Sequence, residues 1–357
     1  MNQKLNRFEN NFDFIRLVAA MMVTFGHVFP LVGRYHEEML ARISGGYITG
    51  GSGVSVFFSI SGYLICQSIL YSKNYYSYLW KRLVRLIPGL WVVLFLLTFL
   101  VGPILTDLPL SEYFKNRDLF RFLKMAKMYP YYKDLLPGVF QHNPLTNING
   151  SLWTIAYEFT MYLVLLVLSM GKLLEKRGVL VVLFVVGLGC YYAILQNTER
   201  FIFCENYLIP VLHLKLNALL EFGLFFWAGM LFYLYQEVIP LHIGLFALAL
   251  FIWLGLGRFE LIGPAEIKAV SLVCIPYIVF YLGFKKGILN NFGKYGDFSY
   301  GFYIYSFPVQ QLIIAYYGPN LGIFTNFFLV LAIVFPLSYF SWHVIEKQAL
   351  KYKSLFD

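Results

Sequence analysis

Apolar residues fall along this chain in long unbroken runs, not in strict alternation. Each run is close to the 20 or so residues an α-helix needs to cross a hydrocarbon layer. Ten candidate spans stand out: 12–32, 52–71, 86–106, 150–171, 178–197, 216–236, 241–257, 265–284, 297–317 and 323–344. Pro88, Pro276, Pro308 and Pro336 lie in or near these spans, where neighbouring helices compensate a kink. The pattern predicts an all-α polytopic membrane protein of about ten transmembrane helices. It forms one domain over residues 1–357, with no separate soluble domain. The halves show no obvious repeat, which disfavours a transporter built by inverted duplication. The long stretch 107–149 holds one further element. Leu119, Phe122, Leu123 and Ala126 recur at helical spacing, with Arg117, Arg121 and Lys124 on the opposite face. This predicts an amphipathic helix in the outer interface, either a connector anchored on lipid or a lid over a substrate site.

Composition narrows the class further. Apolar residues make up 59% and charged residues 13%, against about 25% charged in an ordinary globular domain. Soluble enzyme, disordered chain, coiled coil and secreted disulfide scaffold all fit poorly. The net charge of +9 would suit nucleic acid, but a membrane protein collects Lys and Arg in its cytoplasmic loops, so no nucleic-acid partner is expected. With both termini cytoplasmic, the inner segments (including Lys4 and Arg7) carry fifteen Lys and Arg against six in the short outer segments. The N-terminus is polar for too long to be a plain signal peptide, so the first run is expected to be retained. Cys66, Cys190, Cys204 and Cys274 lack metal or disulfide spacing and read as small buried hydrophobes. No metal-ligand spacing occurs among the histidines, and no bound metal is expected.

Ionisable side chains inside a span are costly and usually functional. The first span holds Arg16 and His27, eleven residues apart. That is about 20° beyond three helical turns, so both project from one face about 16 Å apart along the axis. A fixed cation at one end suits a phosphate-bearing group, and an imidazole at the other suits proton abstraction from a hydroxyl or attack on an acyl group. The alternative is a snorkelling arginine with a histidine hydrogen-bonded between helices. The segment GGSGVSVFFSISGYLI (50–65) is rich in small residues, for close packing or for a substrate channel. Arg82 and Arg85 share a face at the entry of the third span, where guanidinium pairs grip phosphate but basic residues are expected anyway. Glu158 is buried by position, with Arg16, Tyr162 or His27 as candidate partners. In the ninth span Tyr300 and Tyr303 share a face and could bind a sugar or an acyl carbonyl, or simply pack. Glu346 and its neighbouring lysines read as an interface anchor.

In order along the chain, these segments resemble the acyltransferase-3 family of bacterial multi-pass membrane O-acyltransferases. Asp13 and Arg16 followed by His27 are similar to its Arg-x10-His signature, FFSISGYLI to its FFxxSGYL segment, and Arg82-x-x-Arg85 to its basic pair. SLWTIAYEFTMYL, which contains Trp153, Glu158 and Tyr162, resembles its Ser-Leu-Trp…Glu…Tyr segment. FSYGFYIYSFPV resembles its Ser-Tyr-x-x-Tyr…Phe-Pro-Val segment, and WHVIEK its closing Glu-Lys. The resemblance implies about ten helices around an acyl-CoA tunnel. It also implies transfer of an acyl group, commonly acetyl, to a hydroxyl of a surface glycan. By carry-over, His27, Arg16 and Glu158 are the catalytic candidates. Arg82, Arg85, Asp13, Trp153, Tyr162, Tyr300 and Tyr303 are the candidate substrate-binding residues. Many members have His where this chain has Ser306, so a role for a second histidine does not carry over from the resemblance.

The expectation is a multi-pass enzyme of the bacterial inner membrane with both termini cytoplasmic. Acetyl-CoA is its donor substrate, no cofactor is bound, and a glycan or lipid-linked saccharide is its acceptor. A transporter of glycan or acyl groups without thioester chemistry, and a non-catalytic membrane scaffold, are the rival readings. The sequence does not specify an oligomeric state.

Overall fold

The computed structural model describes residues 10–44, 47–129, 134–197, 199, 208–209, 212–259 and 261–357. Lys4, Arg7 and Cys204 lie outside the described residues. Every one of the ten apolar runs holds a helix, and the described residues form no strand beyond one isolated bridge between Leu208 and Lys215. Eight helices are long and apolar enough to cross a membrane. They are α1 (Phe12–Leu31), α2 (Thr49–Tyr71), α3 (Tyr75–Leu105), α5 (Trp153–Met170), α6 (Arg177–Gln196), α7 (Leu216–Leu234), α9 (Pro264–Phe284) and α11 (Ile323–Tyr352). The other two runs are α8 (Ile243–Arg258), which is shorter, and α10 (Ser299–Tyr317), which is more polar. The amphipathic helix α4 (Arg117–Lys124) forms where expected, with Leu119 and Phe122 buried and Arg121 exposed. It is held to α3 by the Trp91 indole, which donates to the Ala126 carbonyl at 3.0 Å.

Burial separates the framework from the periphery. α10 is buried along nearly its whole length, whereas α6 shows few buried residues and faces outward. α2 runs between α1 and α7, and α10 packs on α1 and α11. Small residues set these spacings, because helices without a hydrophobic drive between them gain from close backbone approach. A Cβ on Gly53 would stand 2.5 Å from the Ala19 carbonyl oxygen and 2.8 Å from Val23 Cγ2. On the other side of α2, a Cβ on Gly62 would overlap the Phe226 carbonyl, and one on Gly229 the Ser59 carbonyl. The glycine- and serine-rich segment therefore packs tightly and also lines a cavity with Val54, Phe57, Phe58 and Ser61.

The start of α1 and the end of α11 meet at one face, here the terminal face. Asn11 donates to the carbonyls of Leu282 and Lys285, and Asp357 bonds Ser77 and Lys81 at the start of α3. Two sequence expectations are corrected. α3 begins at Tyr75, not near residue 86, because Asn74 caps it by accepting from the Ser77 amide at 2.7 Å. Arg82 and Arg85 thus lie within the helix rather than at its entry. Cys66 and Cys274 are buried as expected, but Cys190 on the outward-facing α6 is exposed.

Candidate active site

Six helices, α1, α2, α3, α5, α10 and α11, converge on one cavity of about 430 Å³. At the terminal face it is lined by Lys81, Lys353 and Asp357, and it runs inward past Arg16, Arg82, Arg85 and Glu158 to Val54, Phe57, Thr154 and Tyr303. Four of them contribute residues one turn apart: Arg82 and Leu86 from α3, Ser61 and Leu64 from α2, Glu158 and Tyr162 from α5, Ser299 and Tyr303 from α10. Spacings of three or four place side chains on one helix face, and all these faces turn inward.

The three arginines have different surroundings. Arg16 pairs with Asp13, and at 3.2 Å with Asp297. Arg85 pairs with the same Asp297 and, at 3.3 Å, with Glu346. It also lies 5.6 Å from the Tyr300 ring centre and 5.7 Å from that of Trp342. Asp297, just before α10, therefore bridges two guanidiniums. Burial pushes its carboxyl up, but Arg16 and Arg85 together outweigh that and hold it at about 2. Arg82 pairs with no carboxylate among the described residues. One Nη reaches Ser68 Oγ at 3.4 Å, and Nε is buried without a partner. An uncompensated guanidinium in a narrow cavity is a ready ligand for a phosphate oxygen.

Glu158 accepts from the Tyr162 hydroxyl and, at 3.3 Å, from Ser61 Oγ. At the inner end of the cavity the Tyr303 hydroxyl and Thr154 Oγ1 share a 2.6 Å hydrogen bond. The Phe57 ring packs edge-on against Tyr303 at 5.5 Å. His27 lies beyond this layer, its ring 5.1 Å from that of Phe307, one turn after Tyr303 on α10. Gly53 packs at the level of Ala19 and Val23, and Gly50 at that of Gly26. His27 therefore sits about one helical turn past the cavity's end. Its Nδ1 is buried with no hydrogen-bond partner.

The loop at the opposite face is tied to α10 beside His27. Asn149 donates to the Ile304 carbonyl at 2.8 Å, and Gln311 to the carbonyls of Leu145 and Asn147 at 2.9 and 2.6 Å. Gly150 lacks a Cβ because the Phe307 ring occupies that space.

This arrangement joins a phosphate-sized cation, an apolar neck and an imidazole in one line. The acyltransferase domain of the acyltransferase-3 family matches residues 9–343. An O-acetyl transferase of Shigella phage Sf6 is 30% identical over 346 residues, covering 96% of each chain. The chain belongs to the acyltransferase-3 family. Nodulation protein 10 of Rhizobium leguminosarum bv. viciae is 30% identical over 203 residues, 51% of this chain and 50% of its own. No solved structure matches the chain.

In this membrane acyltransferase the cavity gathers Arg16, Arg82, Arg85, Glu158, Tyr162, Tyr300 and Tyr303 from the sequence-predicted set. It does not take in Asp13, Trp153 or His27. Asp13 is the partner of Arg16, and Trp153 packs against Tyr157 and Phe222. Glu158 pairs with Tyr162, not with Arg16 or His27. Glu346 is not an interface anchor: it is 1% exposed and holds Arg85, because the helix continues past residue 344 through a π-turn at Trp342–Glu346 that points it inward. Sequence reasoning passed over Asp297, although its place directly before FSYGFYIYSFPV, opposite two intramembrane arginines, was the available signal.

Proposed function

We propose that this acyltransferase moves an acetyl group from acetyl-CoA to a hydroxyl of a cell-surface or exported polysaccharide. The terminal face would be the cytoplasmic one, in the bacterial inner membrane. The observation that carries the reading is the cavity itself. It offers an arginine, Arg82, with no carboxylate partner among the described residues, and leads through an apolar neck toward a buried imidazole. A thioester donor has that shape, with phosphates at one end and a slender uncharged arm ending in the acyl group. Arg82 takes a phosphate, with Lys81 and Lys353 at the mouth. Arg16 and Arg85, already held by Asp13, Asp297 and Glu346, shape the wall.

His27 then accepts the proton of the acceptor hydroxyl as its oxygen attacks the thioester carbonyl. The new C–O bond forms, the C–S bond breaks, and the proton passes to the departing sulfur. A route through acyl-His27 uses the same groups in two steps. Glu158, held by Tyr162 and Ser61, supports the wall of the donor channel. The phage relative is an O-acetyl transferase, which supports acetyl as the group moved.

The test is acetyl-CoA binding and release of CoA by the purified protein, with mass spectrometry of surface polysaccharide from cells with and without the gene. His27→Ala should still bind acetyl-CoA but form no acetylated product. Acetylation unchanged on deletion of the gene would overturn the reading.

A further inference from the structure

The polar groups around Phe307 are not used by the donor channel, and their hydrogen bonding is incomplete. Ser151, Gln310 and Asn326 are all at or near zero exposure. Gln310 donates through Nε2 to the Thr24 carbonyl at 2.8 Å, one turn before His27, but its Oε1 has no partner. Ser151 has its amide bound by Asn149, but its Oγ has none. Both the Nδ2 and the Oδ1 of Asn326 are unpartnered. With His27 Nδ1, that makes five buried polar atoms without a hydrogen bond among the described residues.

These atoms belong to one neighbourhood. The Phe307 ring touches both the His27 ring and Gly150, which precedes Ser151. Gln310 is one turn beyond Phe307 on α10. Asn326 on α11 stands between Ile323 and Phe327, which pack on the apolar cluster of Val28 and Phe307. A buried polar group left without a hydrogen bond costs stability, so their concentration beside one imidazole calls for a partner in the working state. Resting on the acyltransferase reading above, we propose that Ser151, Gln310 and Asn326 form, beside His27, a binding subsite for the uncharged hydroxyls of a saccharide acceptor.

The chemistry of the set selects that class. It mixes donors and acceptors, as a hydroxyl does, and includes no Lys, Arg, Asp or Glu. A phosphate or carboxylate ligand would find no counter-charge there, and a hydrocarbon ligand would leave every orphan unpaired. Phe307 adds an aromatic face of the kind that packs on a sugar ring. The tethers from Asn149 and Gln311 to α10 and the loop hold the subsite in place before a ligand arrives.

The test uses the fact that these orphans oppose stability while serving binding. Ser151→Ala and Asn326→Leu are made in the full chain. Each is assayed for melting temperature, for acetyl-CoA binding by the purified protein, and for acetyl content of host-cell surface polysaccharide. The expected result is a melting temperature unchanged or raised, acetyl-CoA affinity unchanged, and acetylation reduced about tenfold or more. Polysaccharide acetylation at the wild-type level in both variants overturns the subsite. So does a lowered melting temperature with parallel loss of acetyl-CoA binding in both, since the groups then serve the fold. If the wild-type protein neither binds acetyl-CoA nor acetylates polysaccharide, the acyltransfer reading fails first, and that outcome is separate from the other two.

Discussion

At the scale of single residues, the informative difference is between arginines that have carboxylate partners and one that does not. Arg82→Ala removes a cation that no carboxylate among the described residues pairs with. It should weaken acetyl-CoA binding about tenfold or more, since a hydrogen bond to a charged group contributes about 1.5–3 kcal/mol, while leaving the melting temperature nearly unchanged. Titration of acetyl-CoA against the purified variant checks both halves. Asp297→Ala should do the reverse in degree. It leaves Arg16 and Arg85 facing each other without their shared carboxylate, and removing one partner of a buried ion pair costs about 3–5 kcal/mol. The sign of its pH dependence follows. A carboxyl held at about 2 when folded, below its ordinary value, stabilises the fold at every pH above the ordinary carboxylate range. That stability is lost only as pH falls through that range toward about 2. Melting curves of the wild type and Asp297→Ala should therefore converge under acid and stand apart above the ordinary carboxylate range. A gap that persists undiminished under acid would mean that Asp297 does not hold the cluster as an anion.

At the scale of elements, helices were readable from the sequence and their ends were not. Hydropathy registers the apolar middle of a span. It misses a helix that begins in polar sequence, as α3 does at Tyr75 under the Asn74 cap, and one that ends in polar sequence, as α11 does beyond Trp342. Those are the two turns that carry Arg82, Arg85 and Glu346, so the site was legible as residue types but not as pairs. The spacing of α2 was legible from its glycines. Gly62→Leu would force a side chain into the Phe226 carbonyl, and overpacking of this kind costs about 1–3 kcal/mol. A lowered melting temperature, with loss of binding following from displaced Ser61 and Leu64, is the expected result. The neck made by α2 and α10 makes a separate prediction. Phe57 against Tyr303, fixed by the Thr154 hydrogen bond, limits the width available to the acyl group. Phe57→Ala should admit longer chains, so that the preference for acetyl- over hexanoyl-CoA falls in a competition binding assay. An unchanged preference would place the limit elsewhere.

At the scale of the whole molecule, two chemistries follow one another: a charged cavity reaching from the terminal face and, beyond its inner end, a cluster of buried uncharged polar groups, with His27 between them. That order makes sense only if the donor and the acceptor arrive from different sides of the membrane. The proposal puts the terminal face inside, as the bias of Lys and Arg along the sequence suggests, on the side where an acyl-CoA donor would be made. Ile288, 97% exposed after α9, reports on the terminal face, and Arg34, after α1, on the opposite one. With cysteine at each position in turn, a membrane-impermeant maleimide applied to intact cells should modify Arg34→Cys strongly and Ile288→Cys no more than the wild-type background. Opening the cells should make the two alike. The inverse pattern would turn the Arg82 cavity toward a compartment without acyl-CoA, and the two-sided transfer would have to be abandoned.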